Sequence, residues 1–250
     1  MAFPSPIEQF EIHNFSPTLF SIAGHPVALT NSAICMMLAV ILSTAFMTLT
    51  VRTKAVVPGR WQVLAEMFFN GIRSTVSEAA GAKAGAFFPF IFTIFLFIMF
   101  CNLLGMFPHV YTVTSQLIVN FVLALGVIVV VLTTGFIKHG PKFAKIFVPS
   151  GVPWFLLPVI VPIEMISFFI RPCSLSLRLF ANMLAGHILM KVFAGMSSAL
   201  AGSGWLVAVG VLPVIFNVTI VAFEFFVALL QAYIFSILSS VYLHDALEMH

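Results

Sequence analysis

Between Ser174 and Phe193 the chain reads SLSLRLFANMLAGHILMKVF, an apolar run that carries Arg178. A guanidinium stays charged at every physiological pH. Placing one at bilayer depth costs about 3 kcal/mol on insertion scales and about 10 kcal/mol or more in simulations of isolated helices. A charge kept in such a place marks a functional position. Other polar groups accompany it: Glu164, Arg171, Asn182, His187 and Lys191 in the same stretch, then Asn217, Glu224 and Gln231, spaced seven residues apart.

Helix geometry sorts these groups by face. At 100° per residue, Arg171 lies about 20° from Arg178, Asn182 and Glu164 each about 40° from it, and His187 about 180° round. Asn217, Glu224 and Gln231 form one polar stripe on an otherwise apolar rod. If the two segments fold back on each other about Ser203, residue 178 lies beside residue 228. Glu224 and Gln231 are then each expected within about a turn of the Arg178 level.

The elements that must position these residues follow from composition. With 61% hydrophobic and 8% charged residues over 250 positions, the chain reads as an all-α polytopic membrane protein rather than a soluble domain. Its 29 Phe and 12 Met suit lipid-facing and helix-packing surfaces. Cys35, Cys101 and Cys173 are odd in number and sit in apolar runs, which suggests buried small hydrophobes and neither a disulfide framework nor a metal cluster. The opening MAFPSPIEQFEIH carries Glu8 and Glu11 and no basic n-region, so no signal or transit peptide is expected. No repeat or polar linker divides the chain, and one membrane domain over residues 1–250 is expected.

Apolar runs of roughly twenty residues, enough to cross a ~30 Å core, predict transmembrane helices over 32–51, 87–107 and 116–137. Between the first two, residues 60–83 place Trp61, Leu64, Phe68, Ile72 and Val76 at helical spacing with polar residues between, the pattern of an amphipathic interfacial helix. Residues 153–200 and 204–243 are each about twice as long as a perpendicular span requires. A hairpin of two long, strongly tilted helices turning at Gly202-Ser203-Gly204 is favoured over four short spans, because no charged loop interrupts either run.

The basic residues orient this layout. Eight of the eleven Lys and Arg (Arg52, Lys54, Arg60, Arg73, Lys83, Lys138, Lys142, Lys145) fall on one side of a five-span topology. That side is the cytoplasm, or the matrix of a mitochondrion. The N-terminus is then outside and the C-terminus inside.

The runs PCSLSLRLFANMLAGH (Pro172–His187) and FEFFVALLQAYIF (Phe223–Phe235), with NLLGMFP in the second full span, resemble the subunit a family of F-type ATP synthases. The resemblance extends to the whole layout, including the surface helix after the first span. It implies a proton-conducting stator beside a ring of c subunits, with two offset aqueous half-channels leading to and from a ring carboxylate. Arg178 would be the essential charge facing that carboxylate. A carboxylate passing through lipid must be protonated, whereas one facing Arg178 is better ionised, so the proton leaves at one place only. Asn182 and Gln231 would hold the guanidinium with neutral hydrogen bonds. His187 and Glu224 are placed in the outer path, a pairing in which a carboxylate tunes a histidine that titrates near neutrality. Glu164 is placed in the inner path. Gly105 stands where some relatives carry an acid, so Asn102 and His109 are the candidates for the mouth of the outer path.

The same resemblance implies as partners the c-subunit ring, the peripheral-stalk b subunits, other membrane-sector subunits and the lipid bilayer, with no nucleic acid and no cofactor. The chain would be a non-nucleotide-binding subunit of a translocase complex in a bacterial inner or mitochondrial inner membrane. Competing readings are plainer. Arg178 could pair with Glu164 or Glu224 as structural glue. Arg171 and Lys191 could snorkel, and Asn102, Asn120 and Asn217 could be interhelical packing bonds. A stand-alone ion channel or secondary transporter would want inverted repeats, which are not evident. A haem subunit would want paired histidines, and only His187 lies deep in a span.

Overall fold

Helix α1 (Asn31–Val51) starts where the side chain of Thr30 accepts the backbone N–H of Ala33 at 3.2 Å and Asn31 Oδ1 accepts that of Ser32 at 2.9 Å, satisfying donors that a helix start leaves orphaned. The computed structural model describes residues 20–22, 25–51, 59–107, 110–140, 143, 154–201 and 207–247. Arg52, Lys54, the Pro108-His109 turn, Lys142, Lys145 and the Gly202–Gly204 turn lie outside these, as does the side chain of Arg171.

The remaining helices are α2 (Arg60–Ala80), α3 (Phe88–Gly105), α4 (Leu117–His139), α5 (Leu157–Ala201) and α6 (Val207–Leu247). Five of the six, all except α2, are long and apolar enough to cross a membrane. Helix α2 stops at Gly81, whose φ of 69° suits a residue without a Cβ and whose N–H closes on the Ser77 carbonyl at 3.1 Å. Helices α5 and α6, of 45 and 41 residues, each extend about 60 to 70 Å at 1.5 Å per residue. Helix α5 runs unbroken through Pro158, Pro162 and Pro172. One feature departs from an all-α chain: β1 (Phe20–Ile22) and β2 (His25–Val27) pair antiparallel as a two-stranded ribbon, with Phe20 opposite Val27.

The chain separates into two compact units, each assembled from three stretches. The first holds Met1–Ala45, Phe97–Gln116 and Leu179–Gln231; the second holds Phe46–Leu96, Leu117–Arg178 and Ala232–His250.

In the second unit, α2 buries Ala65, Ile72, Val76 and Ala80 along one stripe. Its Phe69 meets Phe88 and Phe92 edge-on, with ring centroids 4.9 and 5.5 Å apart. Thr75 on α2 lies 3.2 Å from the Tyr233 hydroxyl. Ser176 donates to the Asn120 carbonyl at 3.1 Å, and Lys138 Nζ donates to the Leu247 carbonyl at 3.0 Å, satisfying one of the acceptors that the end of α6 leaves open.

In the first unit, the later part of α5 and the earlier part of α6 form an antiparallel pair. Ser197 donates to the Gly210 carbonyl at 3.2 Å, Phe193 stacks on Phe216 at 5.7 Å, and His187 faces Glu224. The last of these pairs corrects one expectation. Glu224 does not stand within a turn of the Arg178 level; it stands across from His187, nine residues further along α5, or about 13 Å at 1.5 Å per residue. Ser197 and Gly210 keep the register expected from folding about Ser203 to within one residue, and the pairing has slipped by about five residues at His187 and Glu224, where the missing Cβ of Gly186 lets the Glu224 carboxyl lie close.

Candidate functional site

A Cβ built on Gly186 would meet Glu224 Oε1 at 2.6 Å and its Cδ at 2.8 Å. Glycine at this position lets the Glu224 carboxyl lie against the α5 backbone, one residue from His187. His187 sits on the inward stripe of α5 with Leu179 and Met183. Its Nε2 is 3.7 Å from Glu224 Oε1, and the two residues are only 9% and 5% exposed. Neither Glu224 oxygen has a hydrogen-bond partner among the described residues. A buried carboxyl without such a partner is costly in a purely structural role, and an acid poised beside an imidazole can exchange a proton with it.

A third group completes the arrangement. Thr112, from the segment joining α3 to α4, is buried and places Oγ1 3.1 Å from His187 Nε2 and 3.2 Å from the Gly105 carbonyl. Gly105 makes room for it, since a Cβ there would meet Thr112 Cγ2 at 2.7 Å. Nothing in the sequence singles out Thr112. A threonine in a short connection has no signature, and its partner is 75 residues away.

Glu224 also lines a cavity of about 170 Å³, together with Asn182, Met183, Gly186, Leu189 and Phe223 among others. It is roomy enough for several waters, which need only about 10 to 15 Å³ of such space each, and it offers an acid and an amide to hold them. In order, the elements therefore present the Gly105 carbonyl, the Thr112 hydroxyl, the His187 imidazole, the Glu224 carboxyl and a cavity bordered by Asn182.

The other expected site residues are placed as follows. Arg178 is exposed, and no described carboxylate of its own unit forms an ion pair with it. Asn182, one turn beyond Arg178 on α5, is exposed as well. Gln231 is fully buried, and its Nε2 has no hydrogen-bond partner among the described residues. Asn102 is fully buried and donates to the Ala228 carbonyl at 3.1 Å, a tie between α3 and α6. Glu164 is half-buried on α5 in the second unit. Among the described residues no group of His, Cys, Asp and Glu could hold a metal ion.

Comparison with known proteins gives a consistent result. The family model described as ATP synthase A chain matches residues 32–244. The chain is 49% identical over 244 residues to "ATP synthase subunit a" of Parvibaculum lavamentivorans, a match covering 97% of this chain and 93% of that one. It is also 49% identical to "ATP synthase subunit a" of Rhizobium rhizogenes, with 97% of both chains covered, and 46% identical to that of Bartonella bacilliformis, with 98% and 97% covered.

Proposed function

The chain belongs to the ATP synthase A chain family, and from that premise we propose that it is the membrane stator in which Arg178 faces a carboxylate of a rotating c-subunit ring and two offset half-channels feed that carboxylate with protons. Multi-pass helices of ATP synthesis and proton transport are the family's shared ground.

Arg178 supplies a fixed charge. A ring carboxylate crossing lipid has to be neutral, because an ionised one there costs several kcal/mol. Opposite a guanidinium the ionised form is favoured, so the proton is released at that place. The guanidinium cannot lose its own proton and therefore blocks a short circuit between the channels. What supports this role is exposure: Arg178 is turned outward on an apolar helix instead of being buried in an ion pair of its own unit.

His187 and Glu224, with the cavity beside them, form the inner end of the outer path, and Glu164 belongs to the inner path. Asn102 holds α3 to α6 near the mouth of the outer path. The whole chain forms one membrane domain, with α2 lying at the interface and α5 and α6 crossing obliquely, since each is about twice the ~30 Å of the core. Its partners are the c-ring, the peripheral-stalk b subunits and the other membrane-sector subunits. Its setting is a bacterial inner or mitochondrial inner membrane, with the N-terminus outside.

The decisive experiment replaces the charge. Arg178→Ala in the assembled complex is expected to abolish proton-driven ATP synthesis in membrane vesicles while the complex still purifies with its full subunit set. Normal synthesis by that variant would end the assignment.

A further inference from the structure

We propose that Thr112 is a positioning residue for the His187–Glu224 pair: its hydroxyl donates to the Gly105 carbonyl, accepts from His187 Nε2, and so keeps the imidazole proton on the nitrogen that faces Glu224. The inference rests on the proton-path reading of that pair, and it concerns a residue that neither the sequence patterns nor family membership picks out.

A threonine hydroxyl has one proton and can accept as well as donate. Its two partners are the Gly105 carbonyl at 3.2 Å and His187 Nε2 at 3.1 Å. A carbonyl can only accept. Were the hydroxyl to point its proton at Nε2, two buried oxygens would face each other at hydrogen-bond distance with no proton between them, and the Gly105 carbonyl would lose this donor. That carbonyl belongs to the last turn of α3, where helical donors have run out; the N–H groups of Met106 and Phe107 bond to Leu103 and Leu104 instead. The hydroxyl proton therefore goes to Gly105, and the hydrogen between Thr112 and His187 is carried by Nε2.

The consequence falls on Glu224. Its Oε1 is 3.7 Å from the same Nε2, so the N–H held by Thr112 is the one a small ring rotation turns toward the carboxyl. In neutral imidazole the two nitrogens are not interchangeable, and the partner of one decides which carries the proton. Thr112 acts on that choice from the Nε2 side, from an extended backbone (φ −83°, ψ 99°) and with 4% exposure. The tight fit against Gly105 fixes the hydroxyl in place.

The test uses the whole ATP synthase in lipid vesicles, with ¹⁵N-labelled histidine and a His187→Ala sample to identify the resonance. At a pH where the ring is neutral, the expected signal is a proton bonded to Nε2 of His187. A wild-type signal with the proton on Nδ1 overturns the inference whether or not any variant assembles. Thr112→Val keeps shape and removes the hydroxyl; it is expected to shift His187 toward a mixture of tautomers and to lower acid-driven proton flow roughly fivefold, the scale of one neutral hydrogen bond. Thr112→Ser is expected to recover most of both. An unchanged tautomer and unchanged flow in Thr112→Val would also overturn it. Failure of the underlying path reading looks different: His187→Ala and Glu224→Ala would then both conduct at the wild-type rate, with the wild-type tautomer signal unaffected.

Discussion

At the scale of single residues, the groups divide into those an apolar background makes visible and those it hides. Arg178, His187 and Glu224 stand out because polar atoms in hydrophobic runs are expensive and therefore meaningful. Their faces could be read as well. Stepping 100° per residue puts His187 opposite Arg178, and His187 is buried while Arg178 and Asn182 are exposed. Thr112 could not be read, since its importance comes from what it touches. Replacing either member of the buried pair tests its role directly. His187→Ala and Glu224→Ala are each expected to slow acid-driven proton flow by about tenfold to a hundredfold, the lower part of the range for a lost proton-transfer group, because water in the adjoining cavity substitutes in part. Synthesis should remain coupled to whatever flow persists, since Arg178 is untouched. Flow and synthesis measured on the same vesicles separate slowing from uncoupling, and wild-type rates in both variants would remove the pair from the path.

At the scale of elements, the long apolar runs announced helices, but their mutual register required the structure. Pairing of α5 with α6 is set by local fit, and two glycines show how differently such fits behave. At Gly186 a new Cβ would press on the Glu224 carboxyl, the far end of a flexible side chain that can swing aside. Gly186→Ala is therefore expected to leave the melting temperature of the purified complex nearly unchanged while proton flow falls, because the carboxyl leaves His187. At Gly105 the obstacle is the methyl of Thr112, a β-branched side chain with few alternatives. Gly105→Ala should destabilise the first unit by about 1–3 kcal/mol, the usual result of overpacking, and a scanning-calorimetry comparison of the two variants checks the contrast. The ribbon of β1 and β2 escaped the sequence for a simpler reason. Strands of three residues carrying Pro26 give no usable period.

At the scale of the whole molecule, charge and hydropathy constrain what no single site can, namely which face meets which compartment. Arg60, Arg73 and Lys138 are described residues of the basic set, and the segment from Met106 to Gln116 contains no Lys or Arg. Short loops rich in Lys and Arg stay on the cytoplasmic or matrix side, so the proposed orientation puts that segment, with Thr112, on the outer side. Cysteine placement makes the claim measurable. In a complex whose a subunit lacks Cys35, Cys101 and Cys173, Phe107→Cys, an exposed position at the end of α3, is expected to react with a membrane-impermeant maleimide added to intact cells. Arg73→Cys, exposed on α2, should react only in inverted vesicles. Reversal of the two patterns would place the His187–Glu224 pair on the path that releases protons instead of the one that admits them, leaving the buried geometry intact while exchanging the direction it serves.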